Sequence, residues 1–219
     1  MAGCCDPRGC DQVFDARFAR RRADRYRRRG LDRTARAMVE LLTERGVDGA
    51  TVLEIGGGVG EIQLELLRRG AASATNLELS PSYDAEATAL IAEAGMTGRV
   101  RRRLVDIAAD PAAVEPADVV VLHRVVCCYP DVDALLGAAA DHARQQLVFS
   151  HPPRTLLSRA ATGAENLAAR ASDRDYRAFA HPPAQMLAVL AECGLALTGS
   201  HRSPIWRVAA LQRLDRAYP

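Results

Sequence analysis

The sequence contains no lysine: all 29 of its Lys+Arg residues are arginine. Together with abundant alanine, this reads as a genomic GC bias, so the arginine count alone is no evidence for a charged ligand. Also missing is any apolar run near the ~20 residues a bilayer span requires, which excludes a membrane-crossing helix. The N-terminal MAGCCDPRGC lacks the apolar stretch of a secretory signal, so a cytoplasmic protein is expected. In a reducing compartment the six cysteines serve as thiols or ligands rather than structural disulfides. A net charge of only +2 predicts no large nucleic-acid surface, and nucleic acid is not an expected partner. Neither an internal repeat nor a low-complexity linker is visible.

What the chain does have is enough length and apolar content for one core. Its 219 residues, 48% hydrophobic, suit a single α/β domain with an N-terminal extension. Residues 11–29 and 31–46 read as two helices split at Gly30, with Asp32 as N-cap of the second. That second helix carries Leu31, Ala35, Met38, Val39 and Leu42 on one stripe and should pack on the sheet. The first is arginine-rich. It reads either as a solvated amphipathic helix with Phe14, Phe18 and Tyr26 turned inward, or as a surface attracting an anionic substrate or RNA. No aromatic motif of the RNA-binding kind accompanies the charge.

From residue 51 onward, strands and helices alternate, which implies a doubly wound, mostly parallel sheet. The strands expected are Thr51–Ile55, Ala74–Leu79, Val100–Val105, Asp118–His123 and Gln146–Ser150. Leu195–Arg202 and Trp206–Leu214 should close the chain as an antiparallel hairpin. Helices are expected over Glu61–Arg69, Asp131–Arg144 and Pro182–Cys193. The segment 151–180 is longer than a usual connection and reads as a lid or substrate wall. The organisation is thus a Cys-containing, Arg-rich helical cap over 1–47 and a sheet domain over 48–219.

The most informative stretch is VLEIGGGVGE, residues 52–61: a buried strand, a glycine turn and the start of a helix. Glycines 56, 57, 58 and 60 let backbone approach a ligand, and the helix N-terminus beyond offers free N–H groups. A nucleotide-like cofactor at the end of a parallel strand is the natural reading. It is not a dinucleotide, because the G-x-G-x-x-G pattern would put its third glycine where Glu61 stands.

The spacing acid-x-Gly-x-Gly-x-Gly, starting at Glu54, resembles motif I of the class I S-adenosylmethionine-dependent methyltransferases. The electrostatics agree, since a sulfonium and an α-ammonium attract a carboxylate that would repel two phosphates. Glu78, near the end of strand two, lies at a distance from the turn that suits a ribose diol. By the resemblance, Asp106 after strand three faces the adenine amino group and Ile107 packs on the ring. The implied cofactor set is Glu54, Gly56, Gly57, Gly58, Gly60, Glu78, Leu79, Asp106, Ile107 and His123. The likeness covers roughly residues 50–214 and implies a Rossmann-like, seven-stranded sheet. Three runs look most like the magnesium-protoporphyrin O-methyltransferase and ubiquinone/menaquinone methyltransferase branch: NLELSPSY, VVVLHRVVCCYPD and LVFSHPPRTLL.

Methyl transfer is an in-line displacement at an activated sulfonium, so positioning supplies most of the rate. Candidates for a base are His123, Tyr129 and His151, beyond the ends of strands four and five. His123 reads equally as a hydrogen-bonded strand-end histidine. Arg124 or Arg154 could pair with a substrate carboxylate.

The cysteines leave alternatives open. Cys4, Cys5 and Cys10 at the N-terminus and Cys127 and Cys128 after strand four could meet beside the cofactor, where thiolates would bind a soft metal or a metalloid. They could instead form a redox pair, or be buried apolar thiols beneath a frayed terminus. The leading expectation is methyl transfer to a small-molecule acceptor. The others are a same-fold enzyme acting on or with a soft metal or metalloid, and a non-catalytic module binding RNA or a protein partner.

Overall fold

A computed structural model of the chain describes residues 9, 12–172 and 175–214. Among them, strands β1 (Thr51–Ile55), β2 (Ser73–Glu78), β3 (Val100–Leu104), β4 (Ala117–Leu122), β5 (Ala143–His151), β6 (Leu195–Arg202) and β7 (Arg207–Arg213) form one sheet. Its order is β3-β2-β1-β4-β5-β7-β6. The strands β1 to β5 are mutually parallel, and β7 runs antiparallel to both β5 and β6. The expected architecture is borne out, including the terminal hairpin. The order reverses direction between β1 and β4, and beside such a switch point an open α/β sheet leaves a crevice at the strand ends.

Helices α1 (Ala16–Arg29), α2 (Arg33–Thr43), α3 (Glu61–Arg68), α4 (Asp84–Glu93), α5 (Val132–Asp141), α6 (Leu156–Ala171) and α7 (Pro183–Glu192) complete the described chain. The valine-rich β4 is buried on both faces, as a central parallel strand must be. Val119 and Val121 join the core that α1 to α4 cover, while Val120 and Leu122 join the one beneath α5 and α7. The stripe Ala35, Met38, Val39 and Leu42 of α2 is buried against the sheet, as its spacing predicts.

Local signals set most boundaries. Asp15 caps α1 by accepting from Phe18 N, and Asp32 caps α2 by accepting from Thr34 N and Ala35 N. The first helix therefore begins at Ala16 rather than residue 11. The expected Asp131–Arg144 helix stops at Asp141, because pairing with β4 draws Ala143 and the residues after it into β5. Within 151–180 a capping box between Thr155 and Ser158 starts α6. No helix among the described residues is long and apolar enough to cross a membrane.

Candidate active site

The glycine turn joins β1 to α3 at the switch point. Gly60 has φ +83°, a left-handed conformation that favours glycine, and it stands at the N-cap of α3. Gly57 is constrained by crowding instead: a Cβ there would drive into the Asn76 amide and press on the Glu54 carboxyl. Glycines 56 to 58 present no side chain, which leaves that part of the turn open to a cavity. That cavity is walled by the turn, by the ends of β1, β2 and β4, and by Phe14, Phe18 and Arg22 from the N-terminal segment and α1.

Carboxylates dominate its polar lining. Glu54 is fully buried and accepts from Gln63 N at 3.1 Å. Burial, reinforced by the nearby charge of Glu61, pushes its carboxyl well above the ordinary range. Glu78 accepts from Gly58 N and Leu79 N at 2.8 Å each and from Ser80 N at 3.1 Å. Burial raises it too, and those three backbone bonds pull the other way. Asp106 accepts from the Tyr129 hydroxyl through both oxygens, at 3.1 Å each. Glu61 is ion-paired with Arg22.

The end of β4 forms the opposite wall. His123 Nδ1 lies 3.0 Å from Ser150 Oγ, which also accepts from Arg124 N at 2.9 Å. The simplest proton arrangement has Ser150 donating to Nδ1, leaving the Nε2–H of a neutral ring facing Asp32 Oδ2 at 4.0 Å. Burial lowers the His123 pKa, consistent with that neutral form. Arg124 adopts φ +62°, the one such non-glycine among the described residues, and strain of this kind persists only where surroundings enforce it. Here they do: its guanidinium donates to Asp32 at 2.7 Å and lies 5.0 Å from the centroid of the Trp206 ring.

The structure gathers most of the expected residues around one cavity: Glu54, Gly56, Gly57, Gly58, Glu78, Leu79, Asp106, Ile107, His123, Arg124, Cys128 and Tyr129. Gly60 shapes the turn from behind. Three other expected residues lie outside the wall: Cys127, next to Cys128, and His151 and Arg154, farther off. His151 ends β5 with Nδ1 turned to Pro152 O and its ring 5.6 Å from that of Phe149, outside the cavity wall. Arg154 is exposed beyond it, so neither lines the space where a ligand would sit. Tyr129 is committed to Asp106 and Arg124 to Asp32, which leaves His123 the least encumbered of the candidate bases. Its Nε2 has no hydrogen-bond partner.

Sequence reasoning passed over Phe14, Phe18, Arg22, Glu61 and Tyr83, all in the wall. Arg22 is hidden among neighbouring arginines of a helix that reads either as solvated or as attracting an anionic ligand, and Glu61 stands out only as the residue that breaks the dinucleotide pattern. Of the cysteines, Cys4, Cys5 and Cys10 lie outside the described residues. Among the described residues no group of three or more His, Cys, Asp or Glu could hold a metal ion.

The residues present suit a cationic nucleoside cofactor. Four carboxylates face the cavity against two arginines that are each already paired. An uncharged glycine surface leaves room beside them.

Comparisons with known proteins bear on the domain and the fold. No curated protein sequence matches the chain. Among solved structures, it is similar to magnesium protoporphyrin IX methyltransferase from Synechocystis PCC 6803 with bound SAH. That likeness has 20% identity and a TM-score of 0.70, and covers 93% of this chain and 100% of that one. The same enzyme with bound SAM matches with 18% identity and a TM-score of 0.65, over 94% and 90% of the two chains. An O-methyltransferase family protein from Burkholderia thailandensis matches with 22% identity and a TM-score of 0.68, over 92% and 61%. A profile described as a methyltransferase domain matches residues 19–195. The chain therefore belongs to the methyltransferase domain family, an S-adenosylmethionine-dependent methyltransferase by domain and by fold.

Proposed function

We propose that this protein methylates a small-molecule acceptor by in-line displacement. The observation that carries the reading is the partly open cavity itself. Its wall combines the carboxylates Glu54, Glu61, Glu78 and Asp106 with Phe14, Phe18, His123 and Cys128. An opening of that shape admits a compact acceptor more readily than a folded macromolecule.

When bound, S-adenosylmethionine supplies a methyl group on a positively charged sulfur. Glu54 and the glycine turn would hold its amino-acid end, Glu78 the ribose hydroxyls, and Asp106 with Ile107 the adenine. His123 lines the cavity as a neutral ring, and it serves as base toward an acceptor hydroxyl or ammonium in the tautomer whose Nδ1–H donates to Ser150 and whose Nε2 is unprotonated. A carboxylate acceptor would need no base, and Arg124, which donates to Asp32 through one nitrogen, is the wall cation that would orient it. The aromatic contacts among Phe14, Phe18 and Tyr83, with centroids 5.4 and 6.4 Å apart, exclude water from the same space. A reducing cytoplasm suits the free thiols of Cys127, Cys128 and Cys193.

The test is transfer of radiolabelled methyl groups from S-adenosylmethionine in fractionated extracts. Label in the small-molecule fraction, lost in a Gly58→Arg variant that fills the cavity, supports the proposal. Label confined to protein or RNA would overturn it.

A further inference from the structure

Cys127 and Cys128 have no task in the reading above, yet their geometry is specific. The single helical turn Val126–Cys128 sets their sulfurs 3.6 Å apart. Cys127 Sγ also faces the Arg124 carbonyl at 3.5 Å, and the Cys127 carbonyl accepts from Phe179 N at 2.7 Å. Cys128 Sγ lies 3.2 Å from the Tyr176 hydroxyl and forms part of the cavity wall. The thiols are unequal. With Cys127 donating to it and Tyr176 beside it, Cys128 is held below the ordinary thiol range, while the same bond and burial raise Cys127. Glu165 from α6 and Glu78 from β2 are the acidic groups that oppose this.

We propose that Cys127 and Cys128 are a peroxide-sensitive modification site in the wall of the cofactor cavity, closing to a vicinal disulfide that weakens cofactor binding. In the first step the Cys128 thiolate attacks one oxygen of hydrogen peroxide. The O–O bond breaks, Cys128 becomes a sulfenic acid, and the departing hydroxide takes up a proton as water. Cys127 Sγ then attacks Cys128 Sγ. The S–S bond forms, the S–O bond breaks, and the Cys127 proton leaves with that hydroxyl as a second water. Two thiols are oxidised and one peroxide is reduced.

The consequence for binding follows from what flanks the pair. Sulfurs 3.6 Å apart must close to a bond of about 2.05 Å. Adjacent Cα atoms, about 3.8 Å apart, lie below the usual separation for a disulfide, so the backbone between them must twist. On one side sits Val125, whose Cγ2 would lie 2.6 Å from a Cβ on Gly56; on the other sits Tyr129, which holds Asp106. A twist at 127–128 thus moves both the glycine side and the adenine side of the cavity. A strained disulfide is also easily reduced, as a reversible modification requires.

The experiment treats the full chain with hydrogen peroxide, with and without the demethylated product of S-adenosylmethionine, followed by denaturing alkylation and peptide mass mapping. The expected result is a peptide containing Cys127 and Cys128 that has lost two hydrogens and both alkylation sites, restored by dithiothreitol and slowed by the product. Oxidised protein should bind the product about tenfold more weakly in calorimetry, a change of ~1.4 kcal/mol. A Cys127→Ser variant should stop at a Cys128 sulfenic acid that dimedone traps. Both thiols still alkylated after peroxide, or Cys128 bridged to a different cysteine, overturns the thiol chemistry. A disulfide with unchanged affinity overturns the coupling. Reduced protein that binds no product contradicts the cofactor reading itself, which the mapping result does not depend on.

Discussion

Asp32 Oδ2 accepts a 2.7 Å hydrogen bond from Arg124, joining the cap of α2 to the end of β4 across 92 residues of sequence. The same carboxylate caps α2 through its other oxygen and stands 4.0 Å from His123 Nε2. One side chain thereby fixes the N-terminal helices, a strained backbone position and the candidate base.

Replacing Asp32 separates these roles. Asp32→Ala removes the cap and leaves Arg124 without its partner, and should cost about 2 kcal/mol of stability. Asp32→Asn keeps the cap oxygen and should cost about half as much. Burial alone would raise the Asp32 carboxyl, but its His123, Ala35 and Arg124 neighbours outweigh that and hold it well below the carboxylate range. Its folded pKa thus lies below the unfolded one. The contribution is complete above about pH 4 and fades as pH falls further. Urea midpoints across pH 2 to 7 check both variants. Equal acid sensitivity in wild type and Asp32→Asn would contradict the assignment.

Glu54 behaves in the opposite sense. Its carboxyl is raised by burial, then by Glu61 and Glu78, and is lowered by Gln63 N and Arg102. Its stabilising contribution is present below the unfolded pKa and is lost as pH rises through the folded value. A cationic cofactor favours the ionised form, so binding should release a proton and tighten as pH rises. Calorimetry in two buffers of different ionisation enthalpy reads that proton directly. Glu54→Gln should bind more weakly and show no buffer dependence.

Gly57→Ala tests the crowding beneath the turn. The added methyl meets Asn76, which is fully buried and cannot swing into solvent. Overpacking of this kind should cost about 1–3 kcal/mol and displace the turn. Thermal denaturation together with product binding measures it. Unchanged values for both would show that the Asn76 amide moves aside freely.

Tyr129→Phe removes the hydroxyl that Asp106 holds. If Asp106 is the adenine contact, the variant should bind the demethylated product several-fold more weakly, about 1 kcal/mol, with little change in turnover at saturating cofactor. A large loss of turnover with unchanged binding would instead return Tyr129 to the role of base.

Two elements show how sequence and structure divide the information. The bounds of β1 and the identity of the α2 cap are legible because they rest on neighbours within a few residues: an apolar run ending in glycines, an aspartate two and three residues ahead of the N–H groups it caps. The pairing of Tyr129 with Asp106 and the displacement of His151 from the cavity have no such local sign. They depend on how β4 and β5 sit in register and on where the chain turns after each. Phe14, Phe18 and Arg22 reach the cavity only because α1 folds back over α4 and the turn after β2.

By itself, then, the sequence determined the sheet, the glycine turn and the acids that follow it in order, because backbone conformation and strand-end chemistry are encoded locally. Tertiary structure alone decided which arginines are neutralised, which histidine lines the cavity and which helix closes over it. Those outcomes come from side chains meeting across long separations, and spacing along a chain carries no record of them.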